Sequence, residues 1–144
     1  MPSPDDHAER DDPAKPDAGI EFMDLLGYIY LEHNQPDKAA VLLAARNLLA
    51  PDDAGTLLRL ALAQLRSGKP ARALDTLDQR ALLGALDAPF HLARAQALHA
   101  LQRNKEAGSA MRAWLAVRGS APRDTHPEPR GPADAAAPAQ LPAT

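Results

Sequence analysis

IEFMDLLGYIYLEHNQPDKAAVLLAARNLLAPDD, residues 20–53, reads as two amphipathic helices joined by the tight turn Asn34-Gln35-Pro36. Asn34 tolerates the left-handed backbone with which many helices stop. Pro36 fits the first turn of the next helix, where a missing N–H costs nothing. Gly27 sits where the two helices would cross, Tyr30 and Ala39 lie on their facing sides, and Pro51 closes the second helix. Counted from Ile20, Leu26, Gly27, Tyr30, Ala39, Leu43 and Pro51 occupy positions 7, 8, 11, 20, 24 and 32.

That is the pattern of a tetratricopeptide repeat, a helix–turn–helix unit of 34 residues. A single unit cannot bury its own apolar face, so the pattern must return. One period on, Asn34-Gln-Pro-Asp-Lys-Ala becomes Gly68-Lys-Pro-Ala-Arg-Ala; Pro36 meets Pro70, Ala39 meets Ala73 and Leu43 meets Leu77. A second period brings Gln102-Arg-Asn-Lys-Glu-Ala, with Ala107 in the small-residue slot. The third copy lacks the turn glycine and proline, and Ala61 and Ala95 stand where Gly27 does. The expected fold is therefore all-α: three helix–turn–helix repeats (20–53, 54–87, 88–119), about six helices, wound into a right-handed superhelix. Asp52 or Asp53 is expected to cap the third helix, Asp87 the fifth and Asn104 the sixth, which should stop at Gly119. Phe22, Tyr30 and Trp114 are the expected large anchors of a core otherwise made of Ala and Leu.

Outside residues 20–119 the composition changes. Ten of the 14 prolines lie in residues 1–19 and 120–144, and the first of these stretches carries six acids against two bases. Neither stretch has apolar periodicity, so both are expected to be disordered tails, the first acidic and the second rich in Pro and Ala. Removing them from the count leaves the repeats weakly basic, without adjacent Lys or Arg, which excludes a nucleic-acid footprint. With no cysteine there is no disulfide framework, zinc ribbon or thiol chemistry. The longest apolar run, Ala39–Ala45, is far below the ~20 residues of a membrane span. No membrane insertion and a cytoplasmic location are expected.

Catalytic or metal constellations do not emerge. His91 and His99 are too far apart on one helix for a metal pair, and Asp75 and Asp78 read as a solvated face. No enzyme activity, metal or cofactor is expected. The concave surface remains, lined in such repeats by the first helix of each pair. Its inner positions are Glu21, Asp24, Tyr28 and Leu31, then Gly55, Leu58, Leu62 and Leu65, then Pro89, Leu92, Gln96 and His99. The expected partner-binding groove is Tyr28, Leu31, Leu58, Leu62, Leu65, Leu92 and Gln96, entered past the acidic pair Glu21 and Asp24. The alternative is that Leu58, Leu62 and Leu65 are plain core; the groove is favoured because Leu57, Leu60 and Ala61 already fill the packing positions of that helix. An apolar groove suits an amphipathic helix or an extended apolar segment. It lacks the inner Lys and Asn with which repeat co-chaperones grip a C-terminal carboxylate, having Asp24, Tyr28, Leu58 and Leu62 instead.

From Glu21-Phe-Met-Asp-Leu-Leu-Gly-Tyr28 to Trp114-Leu-Ala-Val-Arg118, the repeats resemble the small tetratricopeptide-repeat chaperones of bacterial type III secretion, YscY type. The opening EFMDLLGYIYLEHNQPDKAAVLLAARNLLAP and the segment Leu92–Ala107 carry the likeness. It implies a cytoplasmic chaperone that holds a small early-exported subunit (YscX type) and helps present it to the cytosolic ring of the export gate, with a part in virulence. Pro89-Phe90-His91 is similar to a tripeptide of the translocator chaperones of the same system. A translocator chaperone, a generic repeat scaffold in an unrelated complex and an accessory subunit of an enzyme are the alternatives.

Overall fold

The computed structural model describes residues 17–120. The expectations for residues 1–16 and 121–144 lie outside the described residues. Six α-helices follow one another: α1 (Ala18–Glu32), α2 (Pro36–Leu49), α3 (Ala54–Arg66), α4 (Pro70–Leu82), α5 (Ala88–Ala100) and α6 (Asn104–Ser120). They pair as α1–α2, α3–α4 and α5–α6. Each second helix then packs on the first helix of the next pair, and α1, α3 and α5 touch in series. The chain is an all-α array of three tetratricopeptide-type repeats, and no strand occurs among the described residues.

One turn is built three times. Asn34, Gly68 and Gln102 have φ of 54°, 76° and 61°, one period apart in the left-handed region. In each turn the next N–H reaches back across the helix end: Gln35 N to Tyr30 O at 2.8 Å, Lys69 N to Gln64 O at 2.8 Å and Arg103 N to Leu98 O at 2.9 Å. This pairing satisfies carbonyls that a helix end otherwise leaves open. Pro36 and Pro70 then start α2 and α4. Third-repeat geometry survives the loss of both glycine and proline, because packing on either side of the turn imposes it.

The first helices use another device. Asp17, Asp53 and Asp87 each accept a hydrogen bond from a backbone N–H two or three residues on, at Gly19, Thr56 and Phe90. Asp53 is thus the cap of α3, while Asp52 takes the left-handed turn before it (φ 66°). Asn104 is not a cap: it is the first residue of α6, where Arg103 and Glu106 pair instead (2.6 Å). Helix α1 begins two residues before the expected boundary, and α6 runs through Gly119.

Two apolar clusters form the core. Leu31, Ala39, Leu43, Leu60 and Ala63 join the first repeat to the second. A larger set around Ala61, Ala73, Leu77, Phe90, Ala97 and Leu98 joins the second to the third. Ala39, Ala61, Ala73, Ala95 and Ala107 are all buried, so helix axes approach closely. Phe22 is no anchor, since it is 62% exposed, and Tyr30 and Trp114 are half-buried. Phe90 fills the aromatic core position.

Candidate functional site: the inner groove

Leu58, Leu62 and Leu65 follow one another at four and three residues, which places them on one face of α3. Leu57, Leu60 and Ala61 occupy the other faces and are buried. The three inner leucines are half-buried: their undersides rest on the second core cluster and their outer surfaces are open. Opposite them, α5 contributes Pro89, Leu92 and Gln96, and the two helices enclose a cavity of about 430 Å³. Leu92 and Gln96 also border a second cavity of about 540 Å³, whose far wall is Ala107, Gly108 and Met111 of α6. The two cavities share a wall, so a single apolar trough runs from α3 across α5 to α6. Arg66, Gln96, His99 and Asn104 supply its polar points.

The structure thus brings Leu58, Leu62, Leu65, Leu92 and Gln96 together. It separates the first-repeat residues from them. Leu31 is 8% exposed and belongs to the first core cluster, because α3 covers it. Tyr28 and Glu21 are exposed but line neither cavity. Asp24 is not a free acid at an entrance. It accepts from Arg46 at 2.9 Å, lies 3.1 Å from the Thr56 hydroxyl and pairs with Arg59 at 3.4 Å. Its charge is spent inside the fold.

That ion pair belongs to a repeated feature absent from the residue-level expectations. Arg46 and Arg80 stand one period apart near the ends of α2 and α4, and both are buried. Asp53 and Asp87, the caps of the following helices, are also one period apart. Arg80 donates to both Asp87 carboxylate oxygens, at 2.7 and 3.0 Å, and its Nε donates to Ala54 O at 2.9 Å. Arg46 lies 3.9 Å from Asp53 and donates to Ala50 O at 2.8 Å. Each arginine therefore ties its own helix to the aspartate that caps the next helix. Hydrogen bonds from the Arg80 guanidinium hold the Asp87 carboxyl below its ordinary value. The Thr56 hydroxyl does the same for Asp53, helped by the nearby Arg46 and Arg59 charges. The recurrence of Arg and Asp at one-period spacing was the available sequence signal.

None of Arg46, Asp53, Arg80 and Asp87 lines either cavity of the trough. The trough can bind an apolar segment by shape and burial. No protein-family model matches the chain, and no curated protein matches it. Among the described residues, no helix is long and apolar enough to cross a membrane.

Proposed function

We propose that this protein is an interaction module that holds an apolar helical or extended segment of a partner in the trough along α3, α5 and α6. The observation that carries this reading is the half-open row of Leu58, Leu62, Leu65 and Leu92, continuous over two adjoining cavities. Soluble surfaces rarely keep so connected an apolar strip without a use. A shallow groove with a few polar points is the ordinary receptacle for an amphipathic helix.

The resemblance over Glu21–Arg118, carried by Glu21–Pro51 and Leu92–Ala107, narrows the partner. It supports a chaperone of type III secretion whose client is a small early-exported subunit, held in the bacterial cytoplasm until export. The likeness to translocator chaperones is weaker support for a client, since Phe90 of Pro89-Phe90-His91 is buried and Pro89 starts a helix. Phe90 serves the fold, whereas Pro89 lines the trough. Co-purification of the full chain from its native host, with mass spectrometry of what accompanies it, tests the reading. A small exported subunit supports it, a pore-forming translocator supports the second chaperone class, and an enzyme would make the chain an accessory subunit.

A further inference from the structure

The ends of the repeat array carry faces that its interior covers. Inside, α3 turns Thr56, Arg59 and Ala63 toward the preceding repeat: the first two meet Asp24, and Ala63 packs with Leu31, Ala39 and Leu43. One period earlier on α1 the same positions are Phe22, Leu25 and Ile29, 62%, 56% and 38% exposed. One period later they are Phe90, Ala93 and Ala97 of α5, all buried. The complementary face behaves likewise. Leu43 and Leu77, each covered by the next first helix, are fully buried, whereas Met111 at the same position of α6 is 40% exposed. Gly108 stands where α4 has the buried Leu74. Among the described residues, the array thus begins with a first helix whose outer face packs on nothing and ends with a second helix whose outer face nothing covers.

The charges have been changed to match. Inside, Arg46 faces Asp53 and Arg80 faces Asp87. At the free ends the corresponding residues are Trp114 on α6 and Gly19 on α1: the arginine is gone, and the cap carboxylate stands two residues earlier, at Asp17, where it accepts from Gly19 N. A large apolar side chain stands where the arginine was, and a residue without a side chain where the carboxylate was. Joining the ends would bury no unpaired arginine at this position, and a buried charge without a partner is the usual obstacle to such contacts. Size is matched too: bulky Ile29 replaces Ala97 where small Gly108 replaces Leu74.

We propose that α1 of one copy of this chain docks on the α5–α6 end of a second copy, head to tail, in the place of a seventh helix. The contact is heterologous, so it leaves the opposite end of each copy free and extends into an open series. It also gives Tyr28 a role. Tyr28 holds the position of Leu62 and Gln96, so docking sets it beside Gln96 as the next wall of the trough. The inference goes beyond client binding and does not depend on it.

The test is the mass of the purified full chain, alone, by sedimentation velocity from low to high micromolar concentration. The expected result is a mass that rises with concentration beyond the dimer. Phe22→Glu spoils the α1 face and Met111→Glu the α6 face; both side chains are exposed, and circular dichroism checks that each variant folds. Each variant alone should stay monomeric, and an equimolar mixture should stop at a one-to-one dimer, because one good face of each kind remains. A dimer formed by either variant alone would mean a symmetric contact and overturn the proposal. So would a wild-type mass fixed at the monomer, which would leave the face to residues 121–144 or to a different protein.

Discussion

A β-carbon added at Gly27 would lie 2.6 Å from Cδ2 and 2.9 Å from Cγ of Leu43. Leu43 is fully buried in the first core cluster, so it has little room to give way. In the second hairpin Ala61 stands at the position of Gly27 and Leu77 at that of Leu43, so the same crossing there accommodates a β-carbon. Gly27→Leu should overpack this crossing at a cost of about 1–3 kcal/mol. Gly27→Ala should cost less, since better helix propensity offsets part of the clash. Thermal melting of both variants checks the order, and an unchanged midpoint for Gly27→Leu would contradict the packing.

Gln102 occupies the left-handed turn that Gly68 occupies one period earlier. For a residue with a β-carbon that conformation costs roughly 1–2 kcal/mol. A glycine relieves it but loses more chain entropy on folding, about 0.4–1 kcal/mol. Gln102→Gly should therefore stabilise by about 0.5–1 kcal/mol. The reverse change, Gly68→Gln, should destabilise by a similar amount. Denaturant titration of the two variants measures both signs.

The fold was legible because two local signals agreed. The turn residues Asn34 and Gly68 with Pro36 and Pro70 mark the first two hairpins, and the small residues Ala39, Ala73 and Ala107 repeat at the same period in all three. Burial was less legible, since it depends on neighbours that a single repeat does not contain. Leu31, Leu65 and His99 share one position, yet they are buried, half-buried and exposed in turn. Phe22 has an apolar period that fits a core, but no helix among the described residues covers it. Asp24 sits at an inner position by spacing and is drawn into the fold by Arg46, which lies 22 residues away in sequence. The leucines of α3 and α5 line one cavity because two adjacent repeats define that wall.

Asp87 caps α5 and neutralises the buried Arg80, whose side chain is 5% exposed. Asp87→Asn keeps capping oxygen but removes the charge. Leaving a buried charged donor short of its partner costs about 1–3 kcal/mol. The low end is expected, because Asp87 itself is half exposed and screened. Acidification acts on the same pair. Asp53 and Asp87 titrate lower in the folded chain than in the unfolded one, so their contribution is complete above about pH 4. It is lost as pH falls through the folded values. Melting midpoints should drop steeply below that point in the wild type and less steeply in Asp87→Asn.

Leu62 distinguishes client binding from simple packing. Full burial of a leucine is worth about 1.5–3 kcal/mol, and Leu62 already has part of that from the core beneath it. The remainder is available to a partner. Leu62→Glu forfeits it and sets a charge against an apolar segment, which is costly unless paired. The variant should keep its helical circular dichroism, melt lower than the wild type and lose the client. Gln96→Lys supplies the comparison without a packing cost, because Gln96 is exposed on the same trough. It should leave the melting curve unchanged and still weaken client binding. Leu48 is 83% exposed and lines neither cavity of the trough, so Leu48→Glu should leave both stability and binding alone. Retention of the client by Leu62→Glu and Gln96→Lys, with loss in Leu48→Glu, would move the binding site away from the trough.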